Sequence, residues 1–133
     1  MTGLRAMRGR RADRGVTVVQ LAIAMPVVLV LIMSVIQYAL FEFANQVAEA
    51  AATEGLQAAT AYGVPDPGSA GKSAADATVT SQDQLLQQPS ASVTVDLVHQ
   101  TVTVLVTGTA LQLVPGLNLP VSMSAAGPIE RLP

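Results

Sequence analysis

The side chains in this sequence that could do chemistry are few. His99 is the single histidine. Ser/His/Asp catalysis would need its imidazole within hydrogen-bond reach of a serine and a carboxylate. The chain has many serines but no G-x-S-x-G elbow, and its spacings pick out no partner, so His99 reads as a solvated residue at a hairpin tip. GSAGKS at 68–73 ends like a phosphate loop, but the position of that pattern's first glycine holds Asp66, whose carboxylate would repel phosphate. Glu42, Glu49 and Glu54 fall along one helical stretch and read as a solvated face, without the pairing that acid–base work needs. There is no cysteine, so thiol chemistry and disulfides are absent, and one histidine without a His/Cys cluster gives no zinc site. No enzymatic activity and no cofactor are expected.

The elements say more than the reactive groups. Between Arg14 and Glu42 no residue is charged, and 13 of the 21 residues from Val16 to Ile36 are Val, Ile or Leu. On an insertion scale those residues contribute about −4 to −8 kcal/mol before polar costs. At ~1.5 Å per residue such a helix crosses a hydrocarbon core of about 30 Å. Thr17 and Ser34 can return their hydroxyls to the backbone, while Gln20 and Gln37 lie toward the two ends, where an amide costs least. Tyr38, Phe41 and Phe43 fit an outer aromatic belt, and Pro26 removes a backbone donor in mid-helix and is expected to bend it. Arg5, Arg8, Arg10, Arg11 and Arg14 against Asp13 leave residues 1–15 at net +4, whereas Lys72 and Arg131 face eight carboxylates in the remainder. A basic tail before an apolar run predicts a cytoplasmic N-terminus and an external C-terminal head. The apolar run is too long for a conventional cleaved secretory signal.

Residues 1–14 have no periodicity and read as a leader without regular structure. From Glu42 to Tyr62 nothing breaks the helix, and Val47, Ala51, Gly55, Ala58 and Tyr62 share a face widened by Ala48, Ala52, Leu56 and Ala59. One continuous helix from about Val16 to Tyr62 is expected, stopped by Gly63 before Val64-Pro65. Residues 63–72 read as a Pro/Gly loop, and 73–88 as two short helices, at Ala74–Ala77 and around Gln82–Gln88. Period-two runs follow at Val93/Val95/Leu97, Val102/Val104/Val106 and Leu117/Leu119/Val121/Met123. The first two runs are separated by Val98-His99-Gln100 as a tight hairpin, and Pro115-Gly116 turns the chain before the third. The fold class is α+β. A long N-terminal transmembrane helix continues into an external amphipathic helix packed on a small antiparallel sheet of about three strands. The boundaries are a basic cytoplasmic leader at 1–15, a transmembrane helix at 16–41, an external helix at 42–63 and an extracytoplasmic head at 64–133.

The entrance to the apolar run carries a motif. Arg14-Gly15 is followed by Val16-Thr17-Val18-Val19-Gln20-Leu21, and Pro26 comes eleven residues after Gly15. This resembles the class III prepilin-like signal of TadE-like proteins, the pseudopilins of Tad (Flp-type) pilus systems. Ala51-Ala52-Thr53-Glu54-Gly55 is similar to the family's A-A-R-E-G run, and the C-terminal Val/Thr strands and LNLPVSMSAAGPIERL extend the likeness. Gln20 stands where the family has Glu, Leu21 where it has an aromatic, and Gln37 where a second Glu is frequent.

The resemblance implies cleavage by a prepilin peptidase after Gly15, freeing the amino group of Val16. It implies assembly contacts at Gln20, Pro26, Glu54 and Gly55. An ammonium in lipid is expensive unless paired, and Gln20 can accept one hydrogen bond from it without cancelling its charge. Expected partners are other pilin-like subunits, the inner-membrane platform and the peptidase, with no nucleic acid and no small-molecule substrate. A minor pseudopilin-like protein supporting a Tad-type pilus or secretion system is the resulting expectation. A bitopic envelope scaffold that keeps its leader and a membrane-tethered hydrolase using His99 are the alternatives.

Overall fold

A computed structural model describes residues 3–82 and 84–130, with side chains from Arg14 onward. The chain divides into two units, Met1–Ile36 and Gln37–Pro133.

The first unit is helical throughout its described length. Helix α1 begins at Gly3 and ends at Thr60, with Pro26 inside it. The leader therefore has helical backbone where no regular structure was expected. No proline precedes Pro26, and Leu4, Ala6, Met7 and the arginines are good helix formers. Gly3, Gly9 and Gly15 cost about 1 kcal/mol each relative to alanine, which is not enough to break the run. Every residue from Arg14 to Ile36 is exposed. Among the described residues α1 is the one helix long and apolar enough to cross a membrane. Ser34 returns its hydroxyl to the Val30 carbonyl at 2.7 Å, so its polar group is matched inside the helix.

The second unit holds the rest of α1, helix α2 (Pro67–Thr80), and strands β1 (Leu86–Asp96), β2 (Thr101–Ala110) and β3 (Pro120–Pro128). The strands form one antiparallel meander with β2 in the centre. On one face the register stacks Val95, Val102 and Gly127, then Val93, Val104 and Ala125, then Ala91, Val106 and Met123. Both helices cover that face. The Cβ position of Gly55 on α1 lies 3.0 Å from a Val104 methyl, and that of Gly71 on α2 lies 3.2 Å from a Val93 methyl. Leu56 packs 3.3 Å from the corresponding position at Gly127 of β3. The opposite face carries Ser92, Thr94, Thr103, Leu105, Thr107, Ser122 and Ser124, partly or fully open to solvent.

The core is made of small side chains. Ala44, Val47, Ala48, Ala51, Ala52 and Ala59 of α1 are buried with Ala75 and Val79 of α2 and Val102, Val104 and Val106 of β2. The expected helix face is present except at Tyr62. The helix ends two residues before it, and its ring lines a shallow cleft of about 280 Å³ with Pro65, Pro67 and Ile129.

Several local expectations are corrected. Asp66-Pro67 starts α2 inside the segment read as a loop. The Asp66 carboxylate accepts from the amides of Gly68 at 3.1 Å and Ser69 at 3.3 Å, and Pro67 occupies the first turn, where its missing N–H is harmless. One helix over 67–80 thus replaces the short one at Ala74–Ala77. The stretch expected to be helical around Gln82–Gln88 enters β1 at Leu86 instead, and Asp83 lies outside the described residues. Leu86 is fully buried and fills the space over Gly108, which explains why β1 starts so early. The register shift between Gln87 and Ser90 absorbs Pro89.

The β1–β2 connection has four residues, since Asp96 pairs with Thr101, and Leu97 is exposed rather than inward. Gln100 closes it at φ 51, and its carbonyl accepts from the Ile129 amide at 2.8 Å. The third strand starts at Pro120, three residues later than its alternation begins. Leu117 belongs to a turn in which its amide donates to the Val114 carbonyl at 3.2 Å, with Pro115 and Gly116 (φ +83) in the centre.

Gly55 tests this packing. An added methyl would lie 2.9 Å from the Gly71 carbonyl oxygen and 3.1 Å from the Ala75 methyl, and backbone cannot swing aside. Gly55→Ala is expected to lose about 1–3 kcal/mol of stability despite its better helix propensity. Urea denaturation of the detergent-solubilised full chain, followed by circular dichroism, measures it.

Candidate processing and assembly segment

Gly15, Val16, Gln20 and Pro26 all lie on α1 and are exposed. Nothing approaches within 4 Å of the Cβ position of Gly15. Glycine lowers the local cost of opening the helix there by about 1 kcal/mol relative to alanine. Val16 and Gln20 are four apart, one turn along a face, so an amino group at Val16 and the amide of Gln20 are helix neighbours. The Gln20 amide carries no charge, so it could offer such a group a hydrogen bond but no ion pairing.

Glu54 and Gly55 are adjacent in sequence and opposite in setting. Glu54 is exposed, whereas Gly55 is buried with Ala51 and Ala52 at the crossing of α1 over α2. The A-A-x-E-G run therefore supplies three packing positions and one outward carboxylate.

Sequence reasoning placed Gln37 near the end of the apolar run but missed its burial and its partners. It is 1% exposed, the one buried polar side chain among the described residues. Its Nε2 donates to the Leu111 carbonyl at 3.0 Å, and its Oε1 accepts from the amides of Leu113 at 2.9 Å and Val114 at 3.4 Å. An amide suits this place because the loop offers both an acceptor and donors. A carboxylate would face the Leu111 oxygen with nothing to donate. The available signal was an amide beside a helix face of apolar residues, but its partners lie more than 70 residues away.

The remaining reactive groups do not converge. Gly71-Lys72-Ser73 is inside α2, not in a loop, and Lys72 pairs with Asp76 at 2.7 Å, one turn on. His99 Nδ1 lies 2.7 Å from the Asp96 carboxylate, which also accepts from the amides of Val98 and His99. These bonds, the His99 ring first, hold the Asp96 pKa below the ordinary aspartate value. The arrangement is a hairpin cap. Among the described residues no three His, Cys, Asp or Glu side chains group closely enough to hold a metal.

Comparison with known proteins bears on the helix. The family model described as TadE-like protein matches residues 15–57. The likeness to that family covers this segment, about a third of the chain. The match opens at Gly15, directly after Arg14, and runs along α1 to three residues before its end. It covers Gln20, Pro26, Gln37, Glu54 and Gly55 of the TadE-like segment and leaves out α2 and the sheet. The likeness read from the C-terminal strands thus falls outside the matched residues, and the last letters of that stretch, Arg131 and Leu132, fall outside the described ones. No curated protein and no solved structure matches the chain.

Two outcomes are expected. Gln37→Leu strands the Leu111 carbonyl and the Leu113 amide, costing about 1–3 kcal/mol. Hydrogen exchange at Leu113 should accelerate while exchange in β2 changes only in step with global stability. For Asp96 the lowered pKa means that the hairpin's stabilisation is present above the ordinary aspartate value and is lost as pH falls through the lowered one. His99→Ala should move the Asp96 carboxylate titration, followed by NMR, upward toward the ordinary value.

Proposed function

We infer that the chain is a minor pseudopilin-like protein, crossing the membrane once and supporting assembly of a Tad-type pilus or secretion apparatus. The observation that carries this reading is the TadE-like match, which begins at Gly15 and takes in the whole apolar helix. The net +4 leader supports a cytoplasmic N-terminus and an external head. The exposed apolar surface from Val16 to Ile36 supports a permanent place in lipid, since each buried Val, Leu or Ile gains roughly 1.5–3 kcal/mol.

In this reading a prepilin peptidase cuts between Gly15 and Val16. The protein then acts by helix–helix packing in the bilayer, where Ala22, Pro26 and Gln20 allow close approach, and by contacts of its head. Other pilin-like subunits and the inner-membrane platform are the partners. Gln20 favours a variant of this reading in which the protein primes or anchors the apparatus without entering a long filament, because an uncharged amide leaves a neighbour's terminal ammonium unneutralised.

Intact mass of the protein recovered from its native membrane tests the reading. Loss of residues 1–15, leaving Val16 at the N-terminus, is the expected result. A retained leader would overturn processing and favour a bitopic scaffold.

A further inference from the structure

The loop between β2 and β3 has a composition unlike the rest of the head. Residues 111–119 read LQLVPGLNL, and no charged side chain occurs between Asp96 and Glu130. Leu113 is 47% exposed and Leu117 41% exposed, held open by the Val114-Pro115-Gly116-Leu117 turn. This loop is fastened by its backbone to Gln37, through Leu111, Leu113 and Val114. Gln37 is the residue directly after Ile36, the last of the 21-residue apolar run. On the same helix Tyr38, directly after Gln37, is 67% exposed and Phe43, less than two turns on, is 52% exposed.

We propose that the loop at 111–119 is a second membrane contact, seated in the interfacial layer of an uncharged, zwitterionic lipid surface beside the point where α1 leaves the bilayer. The proposal rests on the reading of α1 as a membrane-spanning helix. The argument is one of depth and continuity. A run of 21 residues at ~1.5 Å each consumes the hydrocarbon core, so Gln37 stands at its edge. The interfacial layer beyond is about 5–7 Å thick, only some four helical residues. A loop hydrogen-bonded to Gln37 through three backbone groups cannot leave that layer. Its exposed leucines face the acyl boundary, and Gln112 and Asn118 can meet headgroups. Glu42 is the one charged residue between Gln37 and Ala48, so nothing recruits anionic lipid. The hairpin at Leu97–Gln100 is the internal contrast. It lies at the other end of β2, about 30 Å away by strand rise. Its Val98 is 87% exposed, beside Asp96 and His99.

The chain contains no tryptophan, so single substitutions report one site each. The full chain carrying Leu117→Trp, Leu113→Trp, Val98→Trp or Val28→Trp is placed in phosphatidylcholine nanodiscs, which leave both faces open to solvent. Emission is quenched with lipid brominated high or deep on the acyl chain, or with aqueous iodide. Leu117→Trp and Leu113→Trp should be blue-shifted and lose most of their emission to shallow bromine. Val98→Trp should respond to iodide alone. If both loop variants behave like Val98→Trp, the contact does not exist. If both are shielded from bromine and iodide alike, protein covers the loop and the proposal is overturned. Val28→Trp separates the two readings. Quenching there by deep bromine with an unquenched loop overturns the loop contact alone, whereas no quenching at Val28 removes the membrane helix and the proposal together.

Discussion

The head depends on how closely α1 can approach α2 and the sheet. Among the described residues no buried side chain is larger than Leu86, and along α1 the buried positions are Gln37, alanines, one valine and Gly55. Such a core gains little from any one residue, so its stability comes from close contact over many small surfaces. Gly55 and Gly71 make that possible, since each lacks the methyl that would strike the other's backbone carbonyl. The same logic repeats at Gly108, which leaves room for Leu86, and at Gly127, which leaves room for Leu56. Bulk on one element is matched by its absence on the element opposite.

Gln37 is the polar counterpart of this packing. A buried amide is expensive unless its donor and acceptor are both used, and here the 111–114 backbone uses both. The bonds run between the first turn of α1 within the head and a loop more than 70 residues later. They fix where the meander's irregular end sits along α1. They also account for glutamine at a position where a glutamate would lose the Leu111 contact.

Long, periodic features were legible before the structure. The apolar helix, the alanine face from Val47 to Ala59, the three alternating strands and the Pro115-Gly116 turn all follow from spacing that a single element can satisfy. The failures share a cause. The pairing of Leu86 with Gly108 and of Gln37 with Leu111 are long-range, so nothing near either residue announces them. Asp66 was weighed only as a flaw in a phosphate loop, although Asp-Pro is itself a helix-start signal. Tyr62 continued a helical period past the point where Gly63 had already stopped the helix. In the TadE-like segment, Glu54 and Gly55 look like one motif in sequence but divide between surface and interior once the helix is packed.

The edges of the meander carry a further consequence. Pro89 interrupts β1 beside a bulge, and Pro120 and Pro128 bracket β3, so each outer strand lacks donors that a visiting strand would need. The sheet therefore stops at three strands. Blunt borders of this kind deny a neighbouring chain's strand the main-chain partners that a continuous ribbon needs.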